Sequence, residues 1–390
     1  MVEFQSRRAM PATAFQSPAA RYNRAMSTRN IAYLFPGQGA QYPGLGADLH
    51  AHSTVARDAY AEAAEALGYD IGKLCFDAAD AEKIHLTRHT QPALLTHSIA
   101  CLRAWAAEVG DGDFGDGDGG DGDRGDGGDG DGDRSDGGDG DGDGGDRGRD
   151  STATVVIAAG HSLGEYCALV SAGALDFAQA LRLVKRRGEL MGEYGRGEME
   201  ALMLDFAAAA DLAGRHHCGV AARNLPEQTV LGGAAHDLDA LLRDMAARHP
   251  RKRSARLKTE GAFHTYHMLD AALHFRETLA EAEFKPLRFG VLSNFTGDLH
   301  DADDADALKS RLFLQLFNPV LWYDNLTKAV AAADMLFEFG GGLGKGDGPD
   351  AKRPALESMV KKTRAGVDSP DYLAVNNVRT LMEAARAFAA

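Results

Sequence analysis

The chain has 390 residues, enough for a large α/β domain and a smaller companion, and its apolar content of 44% is that of a globular protein. A formal net charge of −15 looks strongly acidic, but residues 111–150 hold 16 Asp and 4 Arg, a balance of −12, which leaves about −3 for the rest. The nearly neutral body argues against nucleic-acid binding, and no apolar run approaches the roughly 18 residues of a membrane span. Cys75, Cys101, Cys167 and Cys218 lack C-x-x-C spacing, which indicates reduced thiols in a cytoplasmic protein, not a disulfide framework or a zinc site.

Residues 1–28 carry Arg7, Arg8, Arg21 and Arg24 against the single acid Glu3, the flavour of a transit peptide. The preferred reading is a disordered leader, with Met26 as an alternative first residue, because MSTRNIAYLFPGQG enters a strand at once. Ile31 to Phe35 is that first strand, stopped by Pro36-Gly37. Residues 53–108 read as helical, with Gln91-Pro92 opening a helix that runs to about Glu108. Residues 111–150 contain 18 Gly and one aromatic, Phe114, too little apolar surface to offset ordering, so a disordered insert is expected. Asp139, Asp141, Asp143, Gly144 and Asp150 match half of an EF-hand loop. No flanking helices and no final Glu accompany them, and a solvated acidic loop without bound metal is the preferred reading.

Thr154 to Ala172, TVVIAAGHSLGEYCALVSA, reads as a buried strand, a turn with G-x-S-x-G over Gly160–Gly164, and a helix. Asp176 is a plausible N-cap for a helix to about Tyr194. From Met199 to Thr259 the order is strand (201–206), helix (207–215), strands (219–223 and 229–231), helix (238–248) and strand (254–258). This βαββαβ order is that of a ferredoxin-like domain. The larger domain resumes with a strand over 289–293, a helix near 305–317, the strand Met335–Phe339 and a C-terminal helix from about Asn377; residues 340–370 look loop-like. The expected organisation is therefore a leader (1–28), a large α/β domain (29–198, with the insert 111–150), a ferredoxin-like domain (199–260) and the rest of the large domain (261–390). In fold class this is an α/β-hydrolase-like domain with a nucleophile elbow and an inserted small domain.

A serine at the apex of such an elbow is exposed at a helix N-terminus, where free N–H groups and the helix dipole stabilise an oxyanion. Serine needs a base, and His264 in Gly261-Ala262-Phe263-His264-Thr265 directly follows the small domain, where a loop can overhang the elbow. His264 and His267 also admit a metal reading, but i,i+3 spacing without further ligands disfavours it. Arg187, taken alone, is a helix arginine beside Arg182, Lys185 and Arg186.

Four segments together resemble the malonyl-CoA:acyl-carrier-protein transacylases: Phe35-Pro36-Gly37-Gln38-Gly39-Ala40-Gln41, Gly160-His161-Ser162-Leu163-Gly164-Glu165, Arg187-Gly188-Glu189-Leu190-Met191 and Ala262-Phe263-His264. The resemblance runs from about residue 29 to 345 and includes discrete acyltransferases of fatty-acid and polyketide synthesis. It implies that Ser162 is acylated, that His264 is its base, and that the Gln315 backbone carbonyl orients His264 in place of a triad carboxylate. It further implies backbone N–H groups of Gln38 and Leu163 as the oxyanion hole, Arg187 as partner of the malonyl carboxylate, and Gln91 and Phe263 as pocket residues. Phe263 matches the malonyl-selective form of its loop. The implied reaction is ping-pong malonyl transfer from malonyl-CoA to the phosphopantetheine thiol of an acyl carrier protein, by a monomer without cofactor.

Thr265, Glu198-Met199-Glu200 and Phe339-Gly340-Gly341-Gly342 depart from the family pattern. A proofreading acyl hydrolase and a catalytically silent docking protein are the alternatives; neutral acyl chains would leave Arg187 without a partner. Arg251, Lys252, Arg253, Arg256 and Lys258 are candidate contacts for an acidic carrier.

Overall fold

The computed structural model describes residues 28–110, 153–346, 348–364 and 370–389. The leader up to residue 27, with Met26, and the Gly/Asp insert with its calcium alternative lie outside the described residues.

Among the described residues, nine strands form two sheets. The larger is wholly parallel, in the order β7-β2-β1-β8-β9, from β1 (Arg29–Phe35), β2 (Ala153–Gly160), β7 (Gly290–Val291), β8 (Met335–Phe339) and β9 (Asp371–Val375). Its central strands are apolar on both faces, as a sheet covered by helices requires, and every residue of β8 is buried. The smaller sheet is antiparallel, in the order β4-β5-β3-β6, from β3 (Glu198–Leu202), β4 (Gly219–Leu225), β5 (Gln228–Gly233) and β6 (Ser254–Leu257). With helices Phe206–Arg215 and Ala235–Arg248 it forms the βαββαβ unit read from the sequence, with its own apolar cluster around Leu202, Leu212 and Leu241. The outer edge of β4 is covered by Val320, whose N–H donates to Ala221 O at 3.0 Å and whose carbonyl accepts from Arg223 N–H at 2.9 Å.

The chain leaves the central strand β1 towards β2 and later runs from β8 to β9 on the other side. The carboxyl ends of β1 and β8 therefore flank a topological switch point, where ligands bind in open α/β sheets. The loops that follow both strands, through Gln38 and Leu343, border a cavity that also holds Ser162 and His264 in its wall.

Several elements differ from the sequence reading. Helix Thr87–Val109 starts a turn before Gln91-Pro92, because the Glu260 carboxylate accepts the Thr87 N–H and supplies a long-range cap. The strand expected over 289–293 shortens to Gly290–Val291, the first strand of the small sheet moves to 198–202, and the stretch 340–370 contains helix Glu357–Thr363. Within it, residues 355 and 356 are held by Glu338, a buried carboxylate of β8. It accepts Ala355 N–H at 2.6 Å, Leu356 N–H at 2.9 Å and the Tyr372 hydroxyl of β9. The same contacts hold β9, which the sequence reading omitted, against the sheet.

Burial pushes the Glu338 carboxyl up to about 7. The folded state thus holds this proton more tightly than the unfolded chain, and the associated stability fades as pH rises through about 7. Glu338→Gln removes that titration. The thermal midpoint of the variant relative to the unmodified protein should therefore rise between pH 5 and pH 8, as differential scanning calorimetry at the two pH values would show; a constant difference would contradict the assignment.

Candidate active site

β2 ends at Gly160, and helix Gly164–Ser171 begins four residues later. A Cβ on Gly160 would lie 1.8 Å from the Gly164 carbonyl carbon, and one on Gly164 would lie 2.3 Å from Phe35 O of β1. Only glycine fits at either place. The turn between them drives Ser162 into the left-handed region, with φ 53°, a conformation that costs a non-glycine residue about 1–3 kcal/mol. Hydrogen bonds hold it there: Ser162 N–H donates to Asn294 Oδ1 at 2.6 Å, and Ser162 O accepts Gln315 Nε2 at 3.0 Å.

His264, on the loop that faces this turn, is also in the left-handed region, with φ 60°. Its N–H donates to Leu316 O at 3.1 Å, and the Thr265 hydroxyl donates to Ala262 O at 2.6 Å, closing the loop. Threonine at 265 thus supplies the hydroxyl that this turn uses. His264 Nδ1 lies 2.7 Å from Gln315 O and Nε2 lies 2.7 Å from Ser162 Oγ. The carbonyl can only accept, so Nδ1 carries the proton and Nε2 is left bare to accept from the serine. No side-chain carboxylate touches the ring among the described residues.

Arg187 lies on helix Phe177–Tyr194, whose N-cap Asp176 accepts Gln179 N–H at 2.7 Å. Gly188 lets this helix press against helix Thr87–Val109, since a Cβ there would meet Thr87 O at 2.7 Å. The guanidinium is 1% exposed. Nη1 donates to Gln91 Oε1 at 2.7 Å, and Nη2 donates to Gln315 Oε1 at 2.9 Å and to Ser162 Oγ at 3.2 Å. Burial draws its pKa below the usual arginine range. Among the described residues it forms no salt bridge, so a buried cation faces neutral partners beside the nucleophile.

These groups open onto a cavity of about 280 Å³ between the two sheets. Gln38, Leu163, Ser162, His264, Arg187 and Phe263 border it, with Met199, Val230 and Leu257 of the small sheet opposite. Gln91 is not in its wall: it stands behind Arg187, its amide donating to Met191 Sδ at 3.3 Å. Gln38 points its side chain at Thr87 Oγ1, 2.9 Å away, which leaves its backbone to the cavity.

A family model described as acyl transferase domain matches residues 152–337. The malonyl CoA-acyl carrier protein transacylase of Bacillus subtilis is 32% identical over 310 residues, which span 77% of this chain and 83% of that protein. The chain belongs to the malonyl-CoA:acyl-carrier-protein transacylase family. Two solved structures agree with the fold. The transacylase of Xanthomonas oryzae pv. oryzae superposes with a TM-score of 0.72 at 26% identity, over 93% of this chain and 99% of that one. A malonyl-transacylase in complex with a type II polyketide synthase acyl-carrier protein does so with a TM-score of 0.69 at 28% identity, over 92% and 99%.

The sequence reading passed over four polar residues around the elbow. Glu165, Asn294 and His300 form a buried layer beneath the elbow, and Asn224 holds His161 Nε2 at 2.9 Å. Glu165 adjoins the motif and carried a signal, a carboxylate in the first turn of an otherwise apolar helix. Asn294 and His300 lie in an irregular stretch with no local signature.

Burial and the nearby Arg187 charge hold His264 down to about 3. His264 therefore stays neutral well below pH 6.5, the value of an ordinary histidine. The pH profile of kcat/KM for serine acylation should be level from pH 8 to pH 5.5. A carboxylate bound at Arg187 offsets that charge and raises the pKa, so the acid limb of kcat should lie above that of kcat/KM. Stopped-flow acylation across this range measures both; a kcat/KM limb near pH 6.5 would contradict the burial argument.

Proposed function

We propose that the protein transfers malonyl groups from malonyl-CoA to the phosphopantetheine thiol of an acyl carrier protein, through an ester on Ser162. The observation that carries this reading is Arg187, a buried guanidinium that makes no salt bridge among the described residues and donates to the Ser162 oxygen. A buried unpaired charge is unfavourable unless an opposite charge arrives, and guanidinium presents a planar fork to a carboxylate. An acyl group ending in a carboxylate satisfies it and is thereby held with its thioester at the serine.

The malonyl carboxylate displaces Ser162 Oγ from Arg187. Ser162 Oγ attacks the thioester carbonyl while its proton passes to His264 Nε2, and Gln315 O stabilises the imidazolium through Nδ1–H. The oxyanion is received by the N–H groups of Gln38 and Leu163, the latter at the N-terminus of the elbow helix. The C–S bond breaks, and the leaving thiolate takes the proton from His264. In the second half the carrier's thiol gives its proton to His264 and attacks the seryl ester, which returns the serine hydroxyl. The named function of the Bacillus subtilis relative, and the relative solved with an acyl-carrier protein, support donor and acceptor.

Phe263 crowds the space beside the acyl α-carbon and favours malonyl over branched groups by about 1–3 kcal/mol. Among the basic residues considered for carrier docking, Arg256 is already engaged. It pairs with Glu200 at 2.7 Å and Asp239 at 2.9 Å, and also with Glu198. Lys252 pairs with Glu227 at 3.0 Å. Arg251, Arg253 and Lys258 remain as contacts.

Incubation with malonyl-CoA and intact-mass measurement should give a single malonyl adduct that Ser162→Ala abolishes; no adduct on the unmodified protein would remove the reading. Arg187→Ala should lower the malonyl-to-acetyl ratio of kcat/KM by on the order of 100-fold, the scale of about 2–3 kcal/mol for a buried charge-assisted contact. An unchanged ratio would refute the carboxylate assignment.

A further inference from the structure

Glu165 follows the nucleophile turn at once, and its carboxylate is fully buried beneath it without entering any step above. One oxygen, Oε1, lies 2.7 Å from His300 Nε2. The other, Oε2, accepts Asn294 N–H at 3.0 Å and Gln315 Nε2 at 2.8 Å. Asn294 and Gln315 are the residues that hold the reacting groups. Asn294 Oδ1 accepts Ser162 N–H at 2.6 Å, Gln315 O faces His264 Nδ1 at 2.7 Å, and Gln315 Oε1 accepts Arg187 Nη2 at 2.9 Å.

A side-chain amide has one accepting end and one donating end. At Gln315 the two ends meet opposite demands. One faces a guanidinium, which only donates; the other faces Glu165 and the Ser162 carbonyl, which only accept. A reversed amide would set its oxygen against the carboxylate and its NH2 against the guanidinium. In a buried site both contacts would be repulsive and unscreened by water. The carboxylate is the strongest acceptor in the group, so it decides which way the amide stands.

We propose that Glu165 is a positioning residue for substrate selection. It fixes the Gln315 amide so that its oxygen keeps Arg187 at the serine, and so sets the preference for acyl groups ending in a carboxylate without touching the substrate. This inference rests on the malonyl-transfer reading. Its arm through Asn294 supports the serine for any acyl group, whereas its arm through Gln315 reaches Arg187 and matters for charged acyl groups above all.

Glu165→Gln keeps the shape and removes the charged acceptor, so that the Gln315 amide is held by the Ser162 carbonyl and Arg187 alone. The test compares kcat/KM for self-acylation by malonyl-CoA and by acetyl-CoA. The malonyl-to-acetyl ratio should fall at least tenfold, mainly through a raised KM for malonyl-CoA. Gln315→Met keeps the backbone carbonyl on His264 but removes the amide, and should lower the ratio to a similar extent. The double variant should fall no further, because both changes cut one chain of contacts. An unmoved ratio in Glu165→Gln, equal slowing of both acyl groups, or fully additive effects in the double variant would each overturn the proposal. Should Glu165→Gln fail to fold, an unmoved ratio in Gln315→Met overturns it alone. If the unmodified protein shows no malonyl preference, the function reading itself has failed; if it shows one that both variants keep, only the role of Glu165 has.

Discussion

The end of β1 passes so near the turn around Ser162 that no side chain fits between them, and the distances within the site follow from it. Phe35 O accepts His161 N–H at 3.0 Å and occupies the space that any side chain at position 164 would need. Strand, turn and helix can pass one another only as bare backbone. The turn that results is too tight for ordinary φ at Ser162, so the serine side chain projects upwards while its N–H points down onto Asn294. The stored strain is modest beside the hydrogen bonds that surround it. What the strain secures is direction: one oxygen placed at once within reach of an imidazole and a guanidinium.

The elbow was legible from residues close together in sequence, whereas His264 and Arg187 took their roles from the resemblance of four separated segments. Gly160 and Gly164 announce a close passage, and Asp176 announces a helix start. The layer beneath the elbow was not legible in the same way. Glu165 stood in view within its motif, but its meaning lies in Asn294, His300 and Gln315, all more than 125 residues away. The placing of residues 355 and 356 and of β9 likewise hangs on one distant carboxylate, Glu338, whose partners have no local pattern. Helix Thr87–Val109 began early for the same reason, since its cap belongs to Glu260. Local chemistry announces turns and caps within a segment; polar contacts across the chain become visible only in three dimensions.

Two arginines of this chain show how context turns one residue type to opposite uses. Arg256 sits on the edge strand β6, partly exposed, with three carboxylates around it, and this balances the acids of Glu198-Met199-Glu200 that looked out of place in the sequence. Its charge is spent on the small sheet. Arg187 is sealed from solvent with amides, a hydroxyl and the ring of Tyr166, 5.6 Å away, for company. Such a charge is held in place but not neutralised, and this difference marks a site for a ligand as against a structural pair.

The chain reaches His264 through the small domain, yet the anchors of His264, Leu316 O and Gln315 O, come from the C-terminal end of helix Ala305–Gln315 in the large one. His264 and Ser162 are therefore both held by the large domain, and the small sheet contributes walls to the cavity. Chemistry and selectivity are thus separable inheritances. Substitutions in Met199, Val230 or Leu257 can reshape what enters the cavity while the proton-transfer geometry is passed on unchanged. An architecture of this kind lets a lineage explore new acyl groups and new carriers without first relearning how to make an ester.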